Sequence, residues 1–296
     1  MATGLRHEEY LMYDDELMDI AREELNGVQD LMTFGLTKMV QDIGVTVAKY
    51  ERVGDMTGAD VSMDGKTKGQ SDTVLYDEVG TPIPIIHKEW ELHERQLLAS
   101  RRRGEPLDTT LMRVAARKVL ERMEDMLFNG NDITVDSHRI YGYRTYPHRN
   151  TVTLSGGSTG WSNVASRDII GDINKMAEIA HDNKVRVPMR MYVASNMFHT
   201  LENDYSAAKG DKTWLERMLA YTHISSIVPT DSLPDNEVLM VKMSKDTVEW
   251  TTAADVMNMH YGNEPLFHRF KIWGAAVPIF KSDQNNNCGI IHGITA

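Results

Sequence analysis

Two histidines and two glutamates alternate in a short charged stretch and have the side chains of a divalent-metal site. They are His87, Glu89, Glu91 and His93. Zinc hydrolases that use histidine and glutamate on a helix place two imidazoles one turn apart with a general base between them, as HExxH. The two-residue spacing here lacks that geometry. We therefore predict a solvated charged segment and no metal cofactor, and we retain a metal-dependent hydrolase using His87 and His93 only as a competing class.

Other chemical motifs are equally incomplete. The segment GGSTG, residues 156–160, lacks the lysine that a phosphate-binding P-loop requires. Asp60, Asp64 and Gly65 do not have the alternating ligands of a calcium loop. Serine, histidine and aspartate are present, but no G-x-S-x-G elbow occurs. Cys288 is the only cysteine and is expected to be a buried thiol. The sequence therefore predicts no catalytic residues and no cofactors.

Composition bounds the class of protein. The chain has 296 residues, 41% of them hydrophobic, which is enough to fill a sizeable core. Acidic residues exceed basic residues by 43 to 32, so the net charge is -11 and tight sequestration of nucleic acid is not expected. There is no cationic, apolar leader and no run of about 18 apolar residues, so we predict a soluble protein of a reducing compartment without a membrane partner.

The N-terminal region has a helical pattern over residues 14–40. Apolar side chains recur at three- and four-residue spacing, first at Leu17, Ile20, Ala21 and Leu25 and then at Val28, Leu31 and Met32. Gly27 and Gly35 divide the pattern. A helix of fewer than four turns is marginal alone in water, so this arm is expected to dock on another surface.

Two β-like runs, VTVAKYERV and SDTVLYDEV, flank a glycine-rich segment and predict a long hairpin with a flexible tip over residues 45–81. Both faces are mixed, and neither is apolar enough to lie on a core. An isolated hairpin is marginal in water, so we predict that a neighbouring subunit orders it. The alternative is a surface insertion without a role. The predicted interface residues of this hairpin are Lys49, Glu51, Arg52, Lys66, Lys68 and Asp72.

A basic cluster, Arg101, Arg102 and Arg103, completes the predicted subunit interface. These arginines could meet DNA, acids of an adjoining subunit, or solvent only. Three charges without neighbouring aromatic side chains form a poor nucleic-acid platform. We favour acids of an adjoining subunit.

The strongest helix is predicted over residues 108–129. Asp108 is a favourable N-cap, and Gly130 supplies a left-handed terminator. An apolar ladder at four-residue spacing is expected to bury one wide face against a sheet, with Met112, Ala116 and Leu120 beside it. The ladder comprises Leu107, Leu111, Ala115, Val119, Met123 and Leu127.

The second half of the chain alternates helices and strands and then becomes β-rich. SGGSTG reads as a flexible linker near the start of a second unit at about residue 151. Helices are predicted over residues 166–183, capped by Ser166, over residues 195–204, and over residues 211–221, capped by Asp211. Strands are predicted at MRMYVA and ISSIV and at most segments from residue 238 onward. The class is α+β.

The stretch LDTTLMRVAARKVLERMEDMLFNG resembles the spine helix of encapsulin-like major capsid proteins, whose fold is shared by phage heads and bacterial nanocompartments. Its matching positions are Ala115, Ala116, Arg117, Glu124, Asp125, Phe128 and Gly130. DELMDIAREELNGVQDL is similar to the N-terminal helix of the same family, and GIIHGI to its closing strand. The order of elements along the chain also matches.

The resemblance implies the encapsulin-like phage major capsid fold, with an N-terminal arm, an extended hairpin loop, a peripheral domain around the spine helix and an axial domain. The implied divisions are residues 1–44 (arm), 45–85 (extended loop), 86–150 (peripheral domain), 151–240 (axial domain) and 241–296 (β-rich return to both sheets).

The resemblance also implies a non-catalytic subunit that assembles with itself as pentamers and hexamers into an icosahedral head around double-stranded DNA. Portal, scaffold and cement proteins are further possible partners, and the virion assembled in the host cytoplasm is the implied location. The alternative is an encapsulin shell around an enzyme cargo.

Overall fold

The computed structural model describes most of the chain. The described residues are 26–40, 43–53, 58, 61, 63, 76–103, 109–163, 166–186, 188–203, 212–264 and 266–295. The helices are α1 (Asn26–Thr33), α2 (Glu94–Arg103), α3 (Thr110–Asn129), α4 (Ser166–Asp182), α5 (Ser195–Leu201) and α6 (Trp214–Leu219). The strands in the first half are β1 (Thr37–Met39), β2 (Val47–Val53), β3 (Tyr76–Pro82), β4 (Ile85–His93), β5 (Asn131–Val135), β6 (His138–Ile140) and β7 (Asn150–Thr153). Those in the second half are β8 (Met189–Ala194), β9 (Ile224–Thr230), β10 (Val238–Val241), β11 (Val248–Glu264), β12 (Phe267–Phe280) and β13 (Ile290–Ile294).

The first sheet has four strands in the order β1-β11-β12-β4. Its centre is a long antiparallel ribbon of β11 and β12, in which Val248 pairs with Phe280 and Glu264 with Phe267. β4 extends this ribbon on one side, with Trp90 opposite Phe270 and their rings stacked at 4.3 Å. Alternating side chains of the sheet are buried against α3, which packs on β4 and β12 as the width of its apolar face predicts.

Most of the predicted ladder of α3 is buried, but Leu111 is not. Ala115, Val119, Met123 and Leu127 are each at most 4% exposed, whereas Leu111 is 51% exposed. A straight helix turns about 100° per residue, so a row at four-residue spacing drifts about 40° at each step. Over the four steps from Leu127 back to Leu111 the row therefore rotates away from the sheet.

The ends of α3 agree only in part with the sequence prediction. Thr109 occupies the N-cap position and makes no side-chain hydrogen bond there, while Asp108 and Leu107 lie outside the described residues. At the other end Gly130 has φ +76°, and its N–H bonds to the Met126 carbonyl. A Cβ at Gly130 would come within 2.7 Å of backbone atoms of Ile140 and Gly142. Glycine is thus required here by both conformation and space.

α1 docks on α3, but the predicted N-terminal helix ends earlier than expected. Gly35 has φ +65°, and residues 37–39 form strand β1, which runs parallel to β11 with Thr37 opposite Trp250. The helical prediction was wrong for residues 34–40, since pairing with β11 outweighs the local pattern. The predicted helical segment before Asn26 lies outside the described residues.

The second sheet has five strands in the order β7-β13-β10-β8-β9. One of its faces joins α4, α5 and α6 in a second apolar cluster that includes Ile173, Met191 and Met240. The predicted strands and helices of this region are present. α6 is capped by Thr213, whose hydroxyl accepts from the Glu216 N–H, and Asp211 lies outside the described residues.

The predicted flexible linker is a packed turn. Residues Gly157–Asn163 form a 3-10 turn, and Trp161 within it is fully buried. The buried carboxylate of Asp172 accepts hydrogen bonds from the Ser155 N–H (2.7 Å), the Ser155 hydroxyl (2.8 Å) and the Trp161 indole N–H (3.0 Å). These bonds from α4 hold Ser155 and Trp161, which flank the glycine-rich turn, while residues 156–159 between them are exposed.

A charged network ties the end of α3 to the second sheet. The Arg144 guanidinium donates to both carboxylate oxygens of Glu237, at 2.5 and 2.8 Å, and to the Asn129 side-chain oxygen at 2.7 Å. His292 on β13 lies 2.8 Å from the same carboxylate. Burial alone would raise the pKa of Glu237, but the hydrogen bonds from His292 and Arg144 outweigh it and lower the pKa to about 2.

Arg144→Met should destabilise the subunit by about 3 kcal/mol, because it leaves a half-buried carboxylate with one partner fewer. Chemical unfolding monitored by circular dichroism measures the effect. The double variant Arg144→Met/Glu237→Gln should recover part of the loss, since the uncompensated charge is then removed. Equal stabilities of the single variant and the parent protein would contradict a structural role for this network.

Candidate assembly interface

The predicted hairpin is present. Its root, the end at which Val47 pairs with Pro82, rests on the body of its own chain. β2 and β3 pair antiparallel from Val47 opposite Pro82 to Val53 opposite Tyr76. Ala48 and Thr81 are buried, and the Tyr50 hydroxyl donates to the Phe280 carbonyl at 3.1 Å. The expectation that neither face would lie on a core was therefore wrong for the face of Ala48 and Tyr50 near the root.

Exposure increases along the hairpin away from its root. Tyr76 is 67% exposed, and Glu51 and Glu78 are exposed opposite each other. Lys49 pairs with Glu78 at 2.9 Å, and both side chains are more than half exposed. Exposed pairs of this kind contribute little to stability. The outer face of the hairpin is thus charged and exposed in the single chain.

The other predicted interface residues divide into three groups. Arg52 lies near the outer end of the described ladder on the face of Ala48 and Tyr50, where it donates to Asp77 at 2.6 Å and to Asn286 of the protein body at 3.4 Å. Arg102 is exposed on α2, while the side chains of Arg101 and Arg103 on the same helix are not described. Lys66, Lys68 and Asp72 lie outside the described residues.

A cavity of about 220 Å³ lies between the hairpin root and the β5–β6 hairpin. Its walls include Tyr50, Tyr146, His138 and Phe280. Tyr146 packs against Phe280 with ring centroids 5.6 Å apart. The sequence analysis did not identify this wall, although the tyrosines at positions 141, 143 and 146 were a usable signal.

The charged segment after the hairpin is a strand and a helix, and its acids are paired. His87, Glu89 and Glu91 are exposed on one face of β4, where Glu89 meets Lys271 at 2.9 Å and Glu91 meets Arg269 at 3.2 Å. In the described ranges, no three histidine, cysteine or acidic side chains are arranged to hold a metal ion. The helix α2 that follows was not predicted.

Cys288 is 3% exposed, and burial raises the pKa of its thiol to about 12. A thiol of this kind is protonated at neutral pH and is a poor nucleophile. It is a core side chain of the first apolar cluster.

Exposed apolar side chains form a further surface that sequence reasoning missed. Met257, Met259 and Tyr261 lie on the same side of β11 and are each more than 40% exposed. β1 pairs with β11 only as far as Thr252, so this part of β11 is a sheet edge among the described strands. Long apolar edges in natural proteins are normally covered.

Among the residues that the structure describes, no helix is long and apolar enough to cross a membrane.

Comparisons with known proteins agree with this architecture. A family model described as "Family of unknown function (DUF6260)" matches residues 1–293. The "Type 1 encapsulin shell protein EncA" of Myxococcus xanthus (strain DK1622) is 21% identical over 276 residues, which covers 92% of this chain and 88% of that protein.

Solved structures show the same likeness. The virus-like particle from Pyrococcus furiosus matches with a TM-score of 0.67 and 14% identity, covering 97% of this chain and 99% of that chain. The capsid of Myoviridae Phage XM1 matches with a TM-score of 0.68 and 9% identity, covering 90% and 91%. The encapsulin-like capsid fold, predicted from the resemblance of residues 107–130 to a spine helix, is confirmed.

Proposed function

The chain belongs to the family of unknown function DUF6260 and has the encapsulin-like capsid fold, and we propose that it is the major capsid protein of a phage head. Copies assemble as pentamers and hexamers into an icosahedral shell around double-stranded DNA. The role is mechanical and not catalytic. The observation that carries this proposal is the hairpin, whose root is held by Tyr50 and whose charged outer face is open.

Many identical contacts of modest strength suffice to close such a shell. In this arrangement Lys49, Glu51, Arg52, Lys66, Lys68 and Asp72 of the hairpin, with Arg101, Arg102 and Arg103, meet a neighbouring subunit. Residues 86–150 form the peripheral domain, residues 151–240 the axial domain, and residues 241–296 return to both sheets. The second apolar cluster supports this division, since all its buried members except Ile291 lie within residues 152–240. The first cluster also includes Tyr192, Ala194, Leu233 and Leu239 from that range, so the two domains share a packed boundary.

The acidic composition supports DNA as the content. A net charge of -11 suits a lining that must not grip the duplex as it enters. Portal, scaffold and cement proteins are the further partners of such a head, which is assembled in the host cytoplasm and functions in the virion.

A second candidate is an encapsulin shell that encloses an enzyme cargo. It is favoured by the likeness over 92% of the chain to a protein named as an encapsulin shell protein. Both candidates predict hollow particles in negative-stain images of the purified protein. The contents distinguish them, since nuclease-protected DNA supports the phage head and a co-purifying protein supports the encapsulin.

Deletion of residues 56–70 tests the role of the hairpin. The subunit should keep a near-normal helical signal in circular dichroism, because α3 and its sheet are untouched, but particles should be absent from size-exclusion chromatography and negative-stain images. A variant in which glycine and serine replace residues 56–70 at equal length separates the effect of sequence from that of length. Particles of normal size from the deletion would contradict the interlocking role.

A further inference from the structure

The cavity between the β2–β3 hairpin and the β5–β6 hairpin has walls from elements that are far apart in the chain. Residues of β2, β3, β6, β12 and the loop 141–148 line it. The imidazole of His138 lies directly against Gly80, where an added Cβ would come within 2.7 Å of the ring. The two hairpins therefore touch at this point, and they border a space of about 220 Å³.

Aromatic rings form the floor of this cavity. Tyr146 and Phe280 are each at most 5% exposed, and their ring centroids lie 5.6 Å apart. Tyr141 and His148 meet Tyr146 edge to face, with centroids at 6.1 and 5.5 Å. Rings in different planes offer both faces and edges to a flat ligand. An engineered cavity of about 150 Å³ holds benzene, so the space here has room for one planar ring of nucleobase size.

The charged groups of the cavity favour an anion. The described residues that line it include Arg52 and Arg139, and none of them is acidic. The Nε–H of Arg52 is buried and has no hydrogen-bond partner among the described residues. A buried donor without an acceptor is costly, and an anionic oxygen would satisfy it. An anionic ligand therefore matches this lining better than a neutral or cationic one.

The carboxylates that pair with these arginines do not line the cavity. Asp77 pairs with Arg52 and Asp132 with Arg139, and both aspartate side chains are more than half exposed. Ion pairs with exposed carboxylates are weak, and a guanidinium has five N–H donors, so each arginine can bind a second anion. Arg139 and Ser137 are exposed, which places them at the rim, above the buried aromatic floor.

We propose that this cavity binds a mononucleotide, with the base against Tyr146 and Phe280 and the phosphate at Arg139. Complete ligand sites measure about 300–1,000 Å³, so a ligand whose ring fills this smaller cavity leaves its other groups at the rim. There the guanidinium of Arg139 can hold a phosphate through two parallel N–H···O bonds. The site lies within one chain and does not depend on the proposed shell.

A free nucleotide is favoured over a nucleic-acid strand. A strand carries one negative charge per nucleotide, and a chain of net charge -11 repels such a polyanion. A single phosphate requires only the local arginines. Both Arg52 and Arg139 line the cavity, which satisfies that requirement.

Calorimetric titration of the full-length protein with adenosine monophosphate and uridine monophosphate tests the proposal. Adenosine lacks the phosphate and inorganic phosphate lacks the ring, so each should bind at least about tenfold more weakly than adenosine monophosphate. In saturation-transfer difference NMR the base protons should be saturated more strongly than the ribose protons, because the base lies inside the cavity. A single-stranded oligoadenylate should bind no more tightly than the mononucleotide.

Two variants and a matched control locate the binding. Arg139→Gln should weaken binding at least about tenfold and should leave the fold intact, since the side chain is exposed. Tyr141→Leu should also weaken binding, because a ring of the wall is removed. Arg122→Gln is the control, since Arg122 on α3 is exposed and paired with an aspartate in the same way but does not line the cavity. It should bind like the parent protein. Circular dichroism checks each variant, and Arg139→Gln is decisive if Tyr141→Leu does not fold.

Four results would overturn the proposal. They are no binding of either nucleotide at millimolar concentration, equal affinity of the parent protein and Arg139→Gln, uniform saturation of all ligand protons, and tighter binding of the oligoadenylate. The first three would mean that the cavity does not hold a base and a phosphate together. The fourth would mean that the protein binds a strand through its surface and not one nucleotide through this cavity.

Discussion

Val119→Asp is expected to prevent the subunit from folding. Val119 lies in the middle of α3, is 1% exposed, and belongs to the apolar cluster between α3 and the first sheet. An aspartate there is a buried carboxylate without a partner, which costs several kcal/mol even after its pKa has shifted. A subunit is typically stable by only about 5 to 15 kcal/mol. The variant should accumulate as insoluble protein and form no particles.

Val114→Asp is the matched control on the same helix. Val114 is 52% exposed, so an aspartate there remains in water and costs little. The comparison requires only the soluble fraction, the circular dichroism spectrum and a negative-stain image of both variants. Soluble, assembled Val119→Asp protein would show that α3 does not pack as a spine against the sheet.

The sequence predicted α3 well because its evidence is local and repeated. Apolar residues recur over five turns, so a single misplaced position such as Leu111 does not change the element. The length of the helix and the width of its apolar face were sufficient to predict that it lies on a sheet. The order of strands in that sheet could not be predicted, because β4 pairs with β12 although it lies more than 150 residues before the β11–β12 ribbon in the chain.

The sequence did not predict the structure of short segments whose conformation is set by a residue far away in the chain. Residues 37–39 have no strong local preference, and their pairing with β11 sets their conformation. The glycine-rich turn around Gly157 is fixed by Asp172, a residue that looks like an ordinary helix-surface aspartate in the sequence. In both cases the deciding contact comes from an element whose position the sequence does not reveal.

The hairpin was predicted in part. β-branched residues and clustered glycines indicated it, and β2 lies within the first predicted run, whereas β3 overlaps only the end of the second run and continues to Pro82. The root contact of Tyr50 with Phe280 joins residues 230 positions apart and had no sequence signal. Helix α2 was missed because the charged sequence that contains it was interpreted as a solvated segment.

Glu124 links α1 to the spine helix and should make stability fall as pH rises from about 4.5 to 7. The side chain is 6% exposed and accepts hydrogen bonds from the backbone N–H groups of Gly27 (2.7 Å) and Val28 (3.2 Å). Burial raises the pKa of this carboxyl from 4.5 to about 7, against the lowering effect of the two hydrogen bonds and with a further increase from Asp30. The carboxyl group of Glu124 is close enough to the start of α1 to hold that helix by hydrogen bonds. Its burial keeps it protonated at pH values where a solvated glutamate is already ionised.

The direction of this pH dependence follows from the number of protons that the folded and unfolded chains bind. Between pH 4.5 and 7 the folded chain keeps the Glu124 proton while the unfolded chain has released it, so the free energy of unfolding decreases with pH. The contribution is fully present below pH 4.5 and is lost above pH 7, a change of about 3 kcal/mol for a shift of this size. Thermal unfolding of the full-length protein at pH 5, 6, 7 and 8 should therefore show a falling midpoint.

Two variants on α3 isolate this residue from the other titrating groups. Glu124→Gln cannot ionise and should remove most of the decrease in unfolding temperature between pH 5 and pH 8. Glu121→Gln, one turn earlier and exposed, should keep the pH dependence of the parent protein. Equal slopes in all three proteins would mean that Glu124 does not titrate in this range. If only the Glu124→Gln slope is flattened, ionisation of one buried carboxylate weakens the attachment of α1 to α3.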